Sequence, residues 1–340
     1  EYSPIDYTNS EDSSKELFNK YFNINTDFSK AHRILSLDCD FLNEGSNAMA
    51  NSRAFTARRK ILNKDEVKKM NRLYTVESNL TTTGSMADHR LRLSTSEMPA
   101  FIAKICLELI SLSTRYQSET LLGTLNQISK TASINSNWAK ACAEDLYNHK
   151  GTSAIVIGEH LSSISHALGF FANQLIGAPV SLTEQKDPES TISTLASMLN
   201  QGKVDNLLIL GGNPAFDAPA DINWEILQSK AKMTFYLGYS FNETSTLSDY
   251  HIAQSHYLEY WSDGITPNGN LVPIQPLIEP LFDTFDTLSI LSIFVNDIPT
   301  DNYTIINNTF KSIGGKDFGK FLQEGLLQIK HHTVRSINDD

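Results

Sequence analysis

The chain has 340 residues, of which 40% are hydrophobic and 20% are charged, a composition typical of folded proteins and long enough for two domains of roughly 150 residues each. Its formal net charge is −11, with 28 basic and 39 acidic residues, which argues against a nucleic-acid-binding groove because such a groove needs a basic field. No apolar run approaches the roughly 18 residues of a membrane span, and the polar, acidic opening segment is unlike a signal peptide.

The first half of the chain predicts an α/β unit without an opening strand of its own. Its predicted elements are a helix over 14–22, a strand over 33–38, a helix over 48–62 and a strand over 71–78. A further helix is expected after Ser96, with Ser96 as N-cap and Pro99 in the first turn. Because a helix precedes the first strand and residue Glu1 is not Met, we expect the chain to be a segment of a longer protein.

The second half predicts a regular alternation of strands and helices. Strands are predicted over 153–158, 179–182, 206–211 and 233–238, and helices over 160–176, 191–200 and 224–229. The strands begin 26 or 27 residues apart, which is the spacing of βαβ units, and their apolar sequences favour parallel sheets covered on both faces. We therefore predict an α/β fold of two Rossmann-like, doubly wound units over 1–150 and 151–330, with irregular wrapping loops from about 242 and a frayed tail over 331–340.

The end of the predicted strand 206–211 is the clearest candidate for ligand binding. The sequence "NLLILGGNPAFD" runs from apolar residues directly into Gly211, Gly212, Asn213 and Pro214. Ligands of doubly wound sheets bind beyond the carboxyl ends of the strands, where glycines let the backbone approach a pyrophosphate. A tight strand-to-helix turn without a ligand explains the same residues, and it is the commoner structure.

The remaining polar residues form no catalytic constellation. Asp38 and Asp40 lie at the end of the predicted strand 33–38, where a carboxylate can bind a ribose hydroxyl but repels a phosphate. A solvated strand end is the commonest structure for such residues, and we predict it here. No pair of histidines has the spacing of a zinc peptidase, and neither a P-loop nor a G-x-S-x-G motif occurs. The three cysteines, Cys39, Cys106 and Cys142, are widely separated, so we expect buried thiols rather than a zinc ribbon or an iron–sulfur motif.

Four motifs in order carry a family resemblance: "ILSLDCDFL", "RLYTVESNLTTTGSMADHRLRL", "LLILGGNPAFDAPAD" and "ETSTLSDYHIAQSHYLEYWSDG". Over roughly 27–327 the chain resembles the molybdopterin oxidoreductase-like part of the large iron–sulfur subunit of bacterial alternative complex III. The resemblance implies the Rossmann-like fold of the molybdopterin oxidoreductase (DMSO reductase-like) superfamily. It also implies a place in a quinol-oxidising, membrane-bound electron-transfer complex on the periplasmic side of the inner membrane. The implied partners are other segments and subunits of that complex, including iron–sulfur and haem c proteins.

The resemblance also identifies residues that correspond to cofactor contacts in the molybdenum enzymes. The positions that would face a molybdopterin guanine dinucleotide are Gly211, Gly212, Asn213, Pro214, Asp38, Asp88, His89 and Glu97. The family's Pro-Gly-Thr-Asp turn is here Ser94-Thr95-Ser96-Glu97, so the Pro and Gly that allow close backbone approach are absent.

These departures agree with the expectation that this subunit has lost the cofactor. We therefore expect a structural scaffold with no cofactor, no metal and no catalytic residue of its own, the iron–sulfur clusters lying in another segment of the full subunit. An aromatic loop over 257–261 is expected to contact partners. One alternative is a catalytic molybdopterin-guanine-dinucleotide-binding oxidoreductase module. Another is an NAD- or nucleotide-sugar-binding Rossmann enzyme, although no G-x-G-x-x-G follows a predicted strand.

Overall fold

A computed structural model of the chain describes residues 3, 8–113, 116, 118–133, 135–185, 190–266, 269–296, 300–329 and 334–336. These residues divide into two units. The first comprises the described residues within 6–187 and 334–336, and the second those within 188–330 together with residue 3. The boundary is therefore at 187, and not at 150 as the strand spacing predicted. The reason is that the strand Ser153–Ile157 pairs with Arg33–Leu37 and so belongs to the sheet of the first unit.

The first unit is built on a four-stranded parallel sheet. Its helices are α1 (Asn9–Phe18), α2 (Ala48–Ala57), α3 (Thr82–Ser85), α4 (Met98–Ser113), α5 (Glu119–Ser129), α6 (Ser136–Asn148) and α7 (Ser163–Leu175). Its strands are β1 (Phe22–Thr26), β2 (Arg33–Leu37), β3 (Arg72–Glu77), β4 (His89–Arg92), β5 (Ser153–Ile157) and β6 (Val180–Glu184). The strand order is β4-β3-β2-β5 with all neighbours parallel, so the order reverses between β2 and β5. That pair is the topological switch point, where doubly wound folds bind ligands.

Both faces of this sheet are buried, which explains the nearly continuous apolar sequences of its central strands. Ile34 and Leu73 pack on one face against Phe55 of α2. Leu35 and Val76 belong to the core on the other face, which α4, α6 and α7 cover. Because side chains alternate along a strand, this division follows from the residue positions alone.

The second unit contains a parallel sheet and a smaller antiparallel one. Its helices are α8 (Ile192–Asn200), α9 (Pro214–Asp217), α10 (Trp224–Gln228), α11 (Glu243–Thr246), α12 (Thr287–Asn296), α13 (Asn302–Ser312) and α14 (Phe318–Glu324). Its strands are β7 (Asn206–Leu210), β8 (Met233–Gly238), β9 (Tyr250–Ala253), β10 (Ser262–Ile265), β11 (Asn270–Ile274) and β12 (Leu327–Gln328). Strands β7, β8 and β9 form the parallel sheet, and β10, β11 and β12 the antiparallel one.

The α/β fold class with parallel sheets is confirmed, but the predicted strands over 153–238 do not form one sheet. Strand β6 instead pairs antiparallel with β1 and with β13 (Val334–Ser336). The partner strand β1 was not anticipated, because its first residue, Phe22, was assigned to a helix. That helix ends at Phe18, where Asn19 adopts a left-handed conformation with φ of 56°. Part of the predicted frayed tail is thus strand β13, and 331–333 and 337–340 lie outside the described residues.

Within the described ranges, no helix is long and apolar enough to cross a membrane.

Candidate functional site

The carboxyl end of β2, at the switch point of the first unit, is occupied by the side chain of Asp38. This residue has φ of 47°, a left-handed conformation that is uncommon for a residue other than glycine. Its carboxylate accepts hydrogen bonds from the backbone N–H of Ser78 at 2.9 Å and from the hydroxyl of Thr95 at 2.5 Å. Nε2 of His160 lies 3.4 Å from the same carboxylate. Only 6% of the Asp38 side chain is exposed, so the carboxylate is directed into the unit.

Gly158 brings the end of β5 into contact with the end of β2. Its N–H donates to the carbonyl of Leu37 at 2.9 Å. A Cβ added at Gly158 would overlap the carbonyl oxygen of Asp38 and would lie 2.9 Å from the Asp38 carbonyl carbon. The two strand ends therefore pack backbone against backbone at the switch point, with no space between them.

Asp40, which we predicted to end β2 facing solvent, is also buried and hydrogen-bonded. One of its oxygens accepts from both the N–H and the hydroxyl of Thr83, at 2.8 and 2.7 Å. Thr83 lies in α3, so Asp40 ties the β2 loop to that short helix. The prediction of a solvated strand end is wrong, because Asp40 is 6% exposed and its carboxylate is hydrogen-bonded to Thr83.

Glu77, at the end of β3, is a buried carboxylate that the sequence analysis missed; 1% of its side chain is exposed. It accepts from Nε of Arg90 at 2.6 Å and from the hydroxyl of Thr81 at 2.7 Å. A Cβ at Gly84 would overlap the Glu77 carboxylate, so this glycine is required by close approach. A Glu closing an apolar strand, with an Arg 13 residues later, was the available indication.

Asp88 and His89, which the resemblance grouped with Asp38, lie at the opposite end of the sheet. The carboxylate of Asp88 accepts from the N–H of Leu73, at the start of β3, and forms an ion pair with Arg59. His89 opens β4 and stacks on Tyr74 with ring centroids 4.8 Å apart. Because Asp38 contacts the residue after β3 instead, the two groups are separated by the length of that strand, about 16 Å. They cannot contact the same ligand atom.

Glu97 ends a short 3₁₀ turn, Thr95–Glu97, that follows β4. Its N–H donates to the carbonyl of Ser94 at 2.9 Å, and its side chain is half-exposed, with no partner among the described residues. Only Thr95 from this turn contacts Asp38. The turn therefore positions a hydroxyl, rather than a carboxylate, at the switch point.

The helix that follows β5, α7, contains a buried histidine that the sequence analysis did not single out. His166, in α7, is 4% exposed, and its Nε2 has no hydrogen-bond partner in the part of the chain that the structure describes. Burial lowers the pKa of His166 to about 4. The ring is therefore neutral at neutral pH, and its protonation at lower pH costs stability.

The cysteines are buried or half-buried, as expected, and all three are free thiols. Burial raises the pKa of Cys39 and of Cys106 to about 12, which makes both thiols unreactive. Among the described residues, no group of three or more His, Cys, Asp and Glu side chains could hold a metal ion.

The carboxyl end of β7 in the second unit has the open, glycine-rich geometry that the sequence suggested. Gly211 and Gly212 have φ of 70° and 74°, and a Cβ added at either would meet no atom within 4 Å. The amide oxygen of Asn213 accepts from the N–H and the hydroxyl of Thr244 at 3.1 and 2.8 Å. Pro214 is buried and begins α9. The glycines thus serve the backbone conformation, while Asn213 ties the turn to α11.

The chemistry of this turn is mixed. The N–H groups of Gly212 and Asn213 have no hydrogen-bond partner among the described residues, and such groups in a glycine turn can bind an anion. However, the amide of Asn213 donates to the Glu243 carboxylate at 2.6 Å. That hydrogen bond lowers the pKa of Glu243, which keeps a negative charge beside the turn.

The fold, but not the sequence, is similar to known proteins. No protein-family profile matches the chain, and no curated protein matches its sequence. Among solved structures it is similar to acetylene hydratase from Pelobacter acetylenicus, with a TM-score of 0.71 and 12% sequence identity. The match covers 96% of this chain and 57% of that chain, so this chain spans little more than half the length of that protein. At this identity the likeness establishes the fold alone, an α/β fold with parallel sheets.

Proposed function

We propose that this chain is a cofactor-free structural module of molybdopterin oxidoreductase-like fold in a quinol-oxidising electron-transfer complex similar to alternative complex III. The shared fold and the four sequence motifs support the family assignment. The observation that carries the cofactor-free role is the Asp38 carboxylate, which is buried and hydrogen-bonded at the switch point of the first unit.

The residues at the two strand ends do not fit a pterin dinucleotide. A pyrophosphate needs hydrogen-bond donors and glycine-thin backbone. At the end of β2 lies the Asp38 carboxylate, and the ends of β2 and β5 are in direct contact. At the end of β7, two N–H groups lie beside the Glu243 carboxylate. At an effective dielectric constant near 20, a carboxylate about 4 Å from a phosphate charge costs on the order of 4 kcal/mol. The module therefore has no catalytic step that depends on this cofactor.

In this role the module scaffolds other parts of the complex. Its partners are the iron–sulfur-bearing segments of the same subunit and haem c subunits, on the periplasmic side of the bacterial inner membrane.

Metal and pterin analysis tests the cofactor-free role. The full chain is produced in a bacterial host that synthesises the cofactor, together with a molybdenum enzyme as positive control. We expect neither molybdenum nor iron by mass spectrometry, and no pterin fluorescence after acid release. Stoichiometric molybdenum or pterin would contradict the proposal and favour a catalytic molybdopterin oxidoreductase. Calorimetric titration with NAD and with nucleotide sugars tests the Rossmann-enzyme alternative, for which we expect no heat of binding.

A further inference from the structure

The net charge of the chain is concentrated in one part of the second unit. Residues 204–310 contain 13 of the 39 acidic residues but only 2 of the 28 basic ones, so the rest of the chain carries 26 of each. No Lys or Arg occurs between Met233 and Phe310. A field of one sign over a surface steers partners of the opposite charge towards it.

A loop within this segment exposes apolar side chains although its backbone is held in place. Residues 277–283, "LIEPLFD", are all exposed. The N–H of Leu277 donates to the carbonyl of Leu258 at 2.8 Å, and the N–H of Leu281 donates to the Glu259 carboxylate at 3.2 Å. The backbone of this loop is therefore fixed at Leu277 and Leu281, while the side chains of Leu277, Leu281 and Phe282 are exposed to solvent.

Three aromatic side chains extend the apolar surface towards the ends of β8 and β9. Tyr257 directly precedes Leu258. The ring centroids of Tyr239 and His256 are 6.2 Å apart. Phe241 packs edge-on against His251, with ring centroids 4.7 Å apart. We call Tyr239, Phe241, Tyr257 and residues 277–283 together the acidic apolar face. Its three aromatic side chains, Leu277, Leu281 and Phe282 are between 52% and 83% exposed.

We infer that the acidic apolar face is a docking surface for a partner protein whose own surface carries Lys and Arg side chains around an apolar centre. Exposed aromatic residues without lysines are the composition of interface centres, and contiguous apolar surface of this kind is uncommon on free proteins. The exposed carboxylates of Glu243, Glu279 and Asp283 supply the complementary charge. The same charge repels anionic lipid headgroups and nucleic-acid phosphates, which favours a basic protein as the occupant. This inference does not depend on the proposed cofactor-free role.

A charge-matched pair of probe proteins tests the surface. One probe is a small c-type cytochrome, whose lysines surround an exposed apolar haem edge, and the other is the same cytochrome with its lysines acetylated. Binding to the full chain is measured by calorimetry at about 50 and about 300 mM salt. We expect the native cytochrome to bind, the acetylated one not to bind, and the affinity to fall about tenfold at the higher salt concentration. Lack of binding to the native cytochrome would contradict the inference.

Variants of the chain separate the contributions of apolar contact and charge. Leu281→Ser with Phe282→Ser removes apolar surface, and Glu279→Gln with Asp283→Asn removes charge. We expect each pair to weaken binding about tenfold or more without changing the melting temperature, because all four side chains are exposed. Met49→Ser, which removes an exposed apolar side chain of the first unit, is the matched control and should leave binding unchanged. Equal binding of the cytochrome by all variants would overturn the inference in favour of non-specific attraction. Salt-sensitive self-association that Leu281→Ser with Phe282→Ser abolishes would overturn it in favour of a second copy of the chain.

Discussion

Replacing Gly158 with alanine tests whether the switch point of the first unit is closed by direct backbone contact. Gly158 directly follows β5, and its N–H donates to the carbonyl of Leu37 in β2 at 2.9 Å. The added methyl group would overlap the carbonyl oxygen of Asp38 and would lie 2.9 Å from its carbonyl carbon. Both neighbours are backbone atoms of a paired strand, so no side-chain rotation relieves the overlap.

The expected loss of stability follows from the distance by which the strands must separate. Non-bonded carbon atoms approach to about 3.5 Å at the closest comfortable distance, so the strand ends must move apart by more than half an ångström. Overpacking of this kind costs about 1–3 kcal/mol. Loss of the hydrogen bond from Gly158 to Leu37 adds about 1 kcal/mol. The free energy of unfolding of Gly158→Ala should therefore be lower by about 2–4 kcal/mol.

Urea denaturation followed by far-UV circular dichroism measures this difference. The control is Gly123→Ala, in the same unit. Gly123 lies on the exposed side of α5, and a Cβ there meets no atom within 4 Å. That substitution should stabilise the protein by about 0.5–1 kcal/mol, because alanine favours the helix over glycine. An unchanged midpoint of urea denaturation for Gly158→Ala would refute the direct backbone contact at the switch point. It would mean that there is space for a ligand between the ends of β2 and β5.

Three further predictions concern stability. Gly212→Val should lower the free energy of unfolding by about 1–3 kcal/mol in a thermal melt without ligand. The reason is that Gly212 has φ of 74°, where valine is strained even without a neighbouring atom. An unchanged melting temperature would mean that the glycine serves a ligand. The pKa of His166 is about 4 in the folded state and about 6.5 in the unfolded state, so the unfolded state binds the proton first as the pH falls. The free energy of unfolding should therefore fall by up to about 3 kcal/mol between about pH 6.5 and about pH 4. His166→Gln should lack this loss in thermal melts at a series of pH values. Asp145→Asn should cost about 1–3 kcal/mol in urea denaturation, because it removes the half-buried partner of Arg33 and Tyr74, whereas a loss within error would mean that these contacts are only those of a surface pair.

Five of the seven described strands of the parallel sheets were predictable, because they are continuous apolar runs. Strands β4 and β9 were not predicted, because both are short and largely exposed. The five predicted strands around Leu35, Tyr74, Ile155, Leu208 and Phe235 agree with the structure to within one or two residues at each end. Their assignment to sheets was not predictable from spacing. Three helices, α4, α5 and α6, separate β4 from β5, so the spacing of the strands does not determine that β5 pairs with β2.

The candidate site was predictable only where a single turn determines it. The Gly211–Pro214 turn is local, so its open geometry followed from the residue types. The contact between Asp38 and Gly158 joins residues 120 positions apart and follows only from the strand order. The position of Asp88 also depends on a strand that the sequence did not predict. Asp88 directly precedes strand β4, and a residue that precedes a parallel strand lies at the amino end of the sheet.

The two strand ends differ in what their residues require, and that difference bears on the function. At the β7 end, each of the four residues has a reason within its own unit: the two glycines adopt positive φ, Asn213 holds Thr244, and Pro214 begins a helix. Since backbone conformation and hydrogen bonding account for this turn, its glycines are no evidence for a cofactor. At the β2 end, Asp38 holds a left-handed conformation that costs about 1 kcal/mol, and its carboxylate is directed into hydrogen bonds with Ser78 and Thr95. A carboxylate that its own unit hydrogen-bonds at the switch point supports the proposed scaffold role, because a pyrophosphate at that position would meet a negative charge instead of hydrogen-bond donors.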